Sequence, residues 1–300
     1  MKRIKVLNIW LDNLSKAELL SQLDSGIVFT PNVDHVMKLQ KDQEFLKAYS
    51  IADFKLCDSQ ILIYAARFLG FKIKEKVSGS DFFPAFYNFH RNNEEIKIFL
   101  LGADKGIASR AQDKINAKVG REIVVGAHSP SFRFEKNEKE CQEIIEIINK
   151  SSATILAIGV GAPKQEKWIY KYKDQLPNIK IFFAIGATID FEAGKVKRAP
   201  TWMSRLGVEW LYRLLCEPKR LWKRYLLEDV PFFWLIFKQK LNLYKMPIIE
   251  EQIDFRGGQG EPALKPGFRR QSPAEGNPPS GLAPQSTATG VQGAGVRETS

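Results

Sequence analysis

Four polar turns in this chain hold residue types that could do chemistry. Asp58 sits in Leu56-Cys57-Asp58-Ser59-Gln60, directly ahead of the apolar segment Ile61 to Leu69. A carboxylate there can cap a helix by accepting from its free N–H groups. It can equally serve as a general base, if partial burial raises its pKa and a hydroxyl comes within reach. Gly159-Val160-Gly161-Ala162-Pro163-Lys164-Gln165-Glu166 is a small-residue turn that opens a helix. The N–H groups and dipole of such a helix start favour an anion. Gly161, Lys164 and Gln165 are the candidate contacts, with a plain tight turn as the alternative. Gln165 could read a hydroxyl or a carbonyl, which lysine could not. Thr30-Pro31-Asn32 and Gly102-Ala103-Asp104-Lys105-Gly106 are the remaining turns of this kind.

Several chemistries lack their residues. No third glycine completes a dinucleotide fingerprint after Gly159 and Gly161, and no Walker lysine-serine pair follows, which argues against a nicotinamide-dependent oxidoreductase and a P-loop enzyme. His35, His90 and His128 are scattered, and no Asp-x-Asp pair occurs, so neither a zinc nor a magnesium site is expected. No cofactor is expected either. No G-x-S-x-G elbow supports a serine hydrolase.

Positioning these turns requires strands that end at one edge. Short apolar runs at Lys5–Trp10, Gly26–Thr30, Phe54–Leu56, Ile96–Leu101, Glu122–Gly126, Thr154–Gly159 and Lys180–Ile185 alternate with helical patterns. Ser15 and Glu18 have the spacing of a capping box. Continuous apolar strands interleaved with helices predict an α/β fold: a Rossmann-like, mostly parallel sheet with helices on both faces. Such sheets bind ligands beyond the carboxyl ends of their strands, which would bring all four turns to one edge.

The alternation stops after Arg198-Ala199-Pro200. Trp202 to Cys216 reads as a helix, Glu217-Pro218 breaks it, and Pro218 can open another. At 100° per residue Lys219, Arg220, Lys223 and Arg224 share one arc, while Leu221, Trp222, Tyr225 and Leu226 fill the opposite one. Pro231 to Phe237 is apolar all round and is followed by Lys238 and Lys240. Between Arg198 and Lys245 ten Lys/Arg face four Asp/Glu, a net +6 within a chain whose formal charge is +11. Nucleic acid and an anionic membrane would both be attracted. The greasy block beside lysines favours a membrane-associating helical appendage over a nucleic-acid-binding module, with packing on the body as the other reading. From Arg256 to Ser300, nine Gly and six Pro in 45 residues indicate a disordered tail. The organisation expected is a catalytic domain over 1–197, the appendage over 198–250 and the tail over 251–300.

The 44% hydrophobic share suffices for a core. Cys57, Cys141 and Cys216 are far apart and suggest neither disulfide nor thiolate metal site, as suits a reducing cytoplasm. The N-terminus reads as a strand rather than a signal peptide, and no apolar window reaches the ~18–20 residues of a membrane span.

Together TPNVDHV, the CDSQ turn, VSGSDFF, IFLLG, ILAIGVGAPKQEKWI and AIGATIDFEAGKVKRAPTWMSRLGVEWLYRLLCEPKRLWKRY resemble the WecG/TagA/CpsF glycosyltransferases, from about Ile4 to Tyr225. The resemblance implies metal-independent, inverting transfer from a UDP-sugar donor to a polyprenyl-diphosphate-linked acceptor during synthesis of bacterial surface glycans. The enzyme would sit peripherally on the inner face of the plasma membrane, against its anionic surface, with no nucleic-acid partner. Asp58 falls on the position of the proposed base, Thr30 and Asn32 on a sugar-site turn, and Gln165 on the Gln of a Pro-Lys-Gln-Glu motif. Arg213, Arg220 and Arg224 fall on basic positions thought to meet the lipid diphosphate. Gly186–Pro200, with Asp190 and Arg198 as substrate contacts, is expected to close the sugar-nucleotide edge. Many members have Asp-Gly where this chain has Asp58-Ser59, a difference expected to bear on the acceptor pocket. The exposed greasy helices could also support a homo-oligomer.

Overall fold

The computed structural model describes residues 2–196, 198–200, 203, 208–216 and 218–246, without the side chains of 209, 213, 220 and 226. The run expected as one strand over Lys5–Trp10 is instead a hairpin, β1 (Arg3–Val6) and β2 (Ile9–Asp12), paired antiparallel. Leu7 adopts φ 53 at its turn, a conformation that local pattern does not announce for a leucine. Next comes α1 (Lys16–Leu20), where Ser15 and Glu18 form the expected reciprocal capping box. The body continues as β3 (Gly26–Phe29), α2 (Val33–Leu39), α3 (Gln43–Ser50), β4 (Phe54–Lys55), α4 (Gln60–Phe68), α5 (Gly79–Phe89), β5 (Ile98–Gly102), α6 (Ile107–Val119), β6 (Val124–His128), α7 (Glu138–Lys150), β7 (Ile155–Gly159), α8 (Lys164–Tyr172), β8 (Ile181–Ala184) and α9 (Thr188–Glu192). The two short helices α3 and α9 are absent from the sequence reading.

Strands β3 to β8 form one six-stranded sheet in the order β4-β3-β8-β7-β5-β6, parallel throughout. Its central strands are buried along their whole length because both faces are covered. Side chains alternate between two cores, as a period of two requires. Leu101, Leu156 and Phe182 join one core with α2, α3, α4, α7 and α8, while Leu100, Ala157 and Phe183 join the other with α1, α5, α6 and α9. Each fully buried Leu, Ile or Phe contributes about 1.5–3 kcal/mol by leaving water. The helices after β3 and β7 pack on one face and the helix after β8, which lies between them, packs on the other. Chain therefore diverges on either side of the β8 tip, and a crevice opens there.

Beyond the sheet lie α10 (Glu209–Cys216), α11 (Pro218–Lys223), a π-helical turn at Arg224–Glu228 and α12 (Pro231–Lys240). Pro218 opens α11 as expected. Helix α12 is not apolar to solvent all round: Phe232 (0% exposed) and Ile236 enter the core, whereas Phe233 (59%), Trp234 (58%) and Phe237 stay exposed. Among the described residues no helix is long and apolar enough to cross a membrane. The Gly/Pro-rich tail over 251–300 lies outside the described residues, as does Trp202.

Candidate active site

Four strand tips feed one cleft of about 740 Å³. At the β3 tip, Thr30 is buried and Asn32 caps α2, its Oδ1 accepting from the His35 N–H at 3.2 Å. Asp58 follows β4, its backbone N–H donating to the Pro31 carbonyl at 3.0 Å, so the two tips are tied together. Capping of α4 falls to Ser59, whose hydroxyl accepts from the Leu62 N–H at 3.3 Å. Asp58 is therefore not the cap, and it lines the cleft. Ser59, whose hydroxyl makes that cap, also lines the cleft.

The β7 tip contributes Gly161 and Gln165, and the β8 tip contributes Gly186. Gln165 is 3% exposed; its Oε1 accepts from the Gly186 N–H at 3.1 Å and its Nε2 donates to Glu166 Oε1 at 2.8 Å. Gly102–Gly106 contributes nothing to the lining. The β5 and β7 tips are pressed together there: a Cβ on Gly102 would stand 2.5 Å from the Gly159 carbonyl oxygen, at φ +140. Lys195 holds Asp104 on the outer side of that turn.

Three other residues expected as substrate contacts do not line the cleft. Lys164 reaches outward, 3.6 Å from Glu135 and 5.3 Å from the Phe132 ring centroid. Asp190 pairs with Lys195 at 3.4 Å. Arg198 stands at the rim on a task set by α5: Pro84 lies inside that helix and has no N–H, so the Ser80 carbonyl four residues earlier loses its helical donor. The Arg198 guanidinium donates to that carbonyl and lies 3.1 Å from Asp81. The side chains of Arg213 and Arg220 lie outside the described residues.

Arg224 is brought in. The π turn widens the helix where α11 ends, with the Asp229 N–H donating to the Arg224 carbonyl at 2.9 Å. Arg224 follows Leu221 by three residues, one turn of regular helix, and lines the cleft with it, while Lys219 and Lys223 are exposed. One guanidinium nitrogen lies 3.4 Å from Asp34 Oδ2 and donates to Asn32 Oδ1 at 3.4 Å, while Nε is 4.0 Å from Asp229 Oδ2. Lys38 pairs with Asp34 at 2.6 Å. Burial pushes the Asp229 carboxyl up to about 7, against the pull of Arg224. Burial also pushes Glu166 up to about 7 and holds His35 down at about 3, so His35 is a neutral imidazole, its Nδ1 2.6 Å from the Tyr49 hydroxyl. Among the described residues no group of His, Cys, Asp and Glu could hold a metal ion.

Sequence reasoning missed Asp34, Lys38, Lys76, Glu166 and Asp229. Asp34 and Lys38 carried a signal in their i,i+4 spacing. Glu166 carried one too: three residues before the core residue Ile169, it puts a carboxylate on the apolar side of α8. Nothing local marks Asp229, which the preceding π turn brings inward.

The cleft sets Asp58 among the cations Lys38, Lys76 and Arg224 and three further carboxylates, Asp34, Glu228 and Asp229, of which Asp34 and Asp229 lie against Arg224; a carboxylate so placed is fit to deprotonate a hydroxyl beside a polyanion. The sequence profile of the glycosyl transferase WecG/TagA/CpsF family matches residues 4–246, past Tyr225 and through α12. An N-acetylglucosaminyldiphosphoundecaprenol N-acetyl-beta-D-mannosaminyltransferase from Bacillus subtilis is 27% identical over 237 residues, 79% of this chain and 88% of the relative. A protein of the same description from Bacillus spizizenii is 25% identical over 207 residues, 69% of this chain and 77% of the relative. With four-fifths of its length matched by that profile, cleft and π turn included, the chain belongs to the WecG/TagA/CpsF family of glycosyl transferases.

Proposed function

We propose that this glycosyltransferase moves N-acetylmannosamine or a related sugar from a UDP-sugar to a polyprenyl-diphosphate-linked sugar in one inverting displacement. Asp58 takes the proton of the acceptor hydroxyl as its oxygen bonds to the anomeric carbon. The bond from that carbon to the β-phosphate oxygen breaks, and UDP leaves with the electron pair. Arg224, Lys38 and Lys76 oppose the charge that develops on the leaving group, with Thr30, Asn32, Gly161 and Gln165 about the donor. Arg213 and Arg220 are assigned to the acceptor diphosphate by their match to the family's basic positions. The activity for which the two Bacillus relatives are named supports the acceptor and the sugar.

The observation that carries this reading is the placement of Asp58: Ser59 does the capping, and Asp58 lines the same cleft as Arg224. Phe233 also lines it, on the helix that exposes Trp234 and Phe237. An aromatic, lysine-flanked rim of that kind suits the interfacial zone of an anionic membrane, where a lipid-linked acceptor resides. The test is a panel of UDP-sugars with a short polyprenyl-diphosphate-sugar acceptor, reading UDP release. Release that requires both substrates supports the reading. No release from any donor, or release indifferent to the acceptor, overturns it.

A further inference from the structure

Gln165 has an amide whose oxygen and nitrogen exchange places on a half-turn of its terminal torsion, so a side chain of this kind is specific only if its surroundings fix the choice. Here both ends are fixed. Gly186 presents an N–H, which only Oε1 can accept, and Glu166 presents a carboxyl oxygen, to which only Nε2 can donate. The flipped amide would set donor against donor at Gly186 and acceptor against acceptor at Glu166. What remains for a ligand is the second Nε2 hydrogen, the one donor the amide has left, beside the second lone pair of Oε1, on a residue that lines the cleft.

Glu166 itself does not touch the cleft. It is 0% exposed, and its Oε2 has no hydrogen-bond partner among the described residues. A buried acceptor left unsatisfied destabilises a fold, and replacing both members of a buried polar pair by apolar groups is often neutral or stabilising, although removing one alone strands the other. Stability therefore gives no reason for a carboxylate beneath the cleft; orientation of the neighbouring amide does. Protonated or ionised, the group keeps a carbonyl-type oxygen toward Nε2.

We propose that Glu166 is a positioning residue that locks the Gln165 amide so that its free N–H is presented to an acceptor oxygen of the glycosyl donor. The ligand in this inference rests on the function proposed above. The amide lock does not, and it can be read without substrate.

Glu166→Leu removes the acceptor, Glu166→Gln keeps it, and Gln165→Ala removes the amide. With 15N-glutamine labelling, the Gln165 side-chain signals should be slow to exchange in the wild type and in Glu166→Gln, and shifted and fast-exchanging in Glu166→Leu. Unchanged signals in Glu166→Leu overturn the lock. In transfer assays, Glu166→Leu should lose about 10-fold or more in kcat/KM for the donor, about the effect of one lost hydrogen bond to a ligand. Glu166→Gln should recover most of that loss. The double variant Gln165→Ala/Glu166→Leu should be no worse than Gln165→Ala alone, because two residues acting through one contact are not additive. That double variant, in which both partners are apolar, should unfold in urea at wild-type concentrations or higher, opposite to a structural role. Additive losses, or no recovery in Glu166→Gln, overturn the proposal. If the amide signals behave as expected but wild-type protein neither binds nor consumes any UDP-sugar, the lock stands and the donor reading falls.

Discussion

Glu166→Gln should remove a proton-linked stability term whose size follows from the burial of the site. The Glu166 carboxyl is wholly buried and pushed from its ordinary 4.5 up to about 7. A folded-state pKa above the unfolded one means that the native protein keeps a proton the unfolded chain has released. The resulting stability is full below pH 4.5 and is lost as pH rises through about 7. The distance between the two values is worth about 3 kcal/mol, most of which falls between pH 5 and pH 8. Glutamine occupies the same volume, still accepts from Gln165 and does not titrate. The stability of the wild type relative to Glu166→Gln should therefore fall by about 2–3 kcal/mol across that range, roughly 1 M in urea midpoint. His35 acts with the opposite sign: held down at about 3, it contributes stability above pH 6.5 that is lost as pH falls. Both proteins share that contribution, so the comparison cancels it. Urea unfolding followed by tryptophan fluorescence reads the difference, Trp168 being buried on the same helix. A difference constant within about 0.5 kcal/mol from pH 5 to pH 8 would refute the buried, proton-holding carboxyl.

Other perturbations address the cleft and its rim. Asp58→Asn should lower turnover by at least about 100-fold with an unchanged circular dichroism spectrum, and near-normal turnover would remove Asp58 from the chemistry. Gly159→Ala would place a Cβ 2.6 Å from the Gly186 carbonyl oxygen and 2.8 Å from Ile189 Cδ1. Overpacking of that kind should cost about 1–3 kcal/mol in urea unfolding, and a loss under about 0.5 kcal/mol would show that the tips yield. Replacing Phe233, Trp234 and Phe237 together by Ser should reduce flotation with anionic liposomes about 10-fold or more without unfolding the body, since all three are exposed. Unchanged flotation would count against a membrane role for this face.

Much of the fold was legible because burial imposes a pattern. Ile98–Gly102, Ile155–Gly159 and Ile181–Ala184 are buried along their whole length, and runs of that kind between helices leave few alternatives to a covered parallel sheet. Ser15 and Glu18 formed their box because its partners are three residues apart. The β1–β2 hairpin was not legible, since its turn rests on Leu7 in a left-handed conformation rather than on Asn-Gly or a glycine pair. At the site, Asp58 and Ser59 are adjacent and either could cap a helix, so only the observed N–H···O contact assigns the cap.

By itself the sequence determined the order of strands and helices, the placement of polar turns at strand ends and the family, because these depend on local periodicity and on motifs tens of residues long. Tertiary structure decided which turns meet. It turned Lys164 outward to Glu135, set Arg198 on the carbonyl that Pro84 leaves open, and kept Gly102–Gly106 out of the cleft. It also set Arg224 against Asn32 and Asp34 and buried Glu166 beneath Gln165. Each outcome depends on a partner more than twenty residues away or on a local departure from regular helical geometry, which neighbouring residues in the chain do not encode.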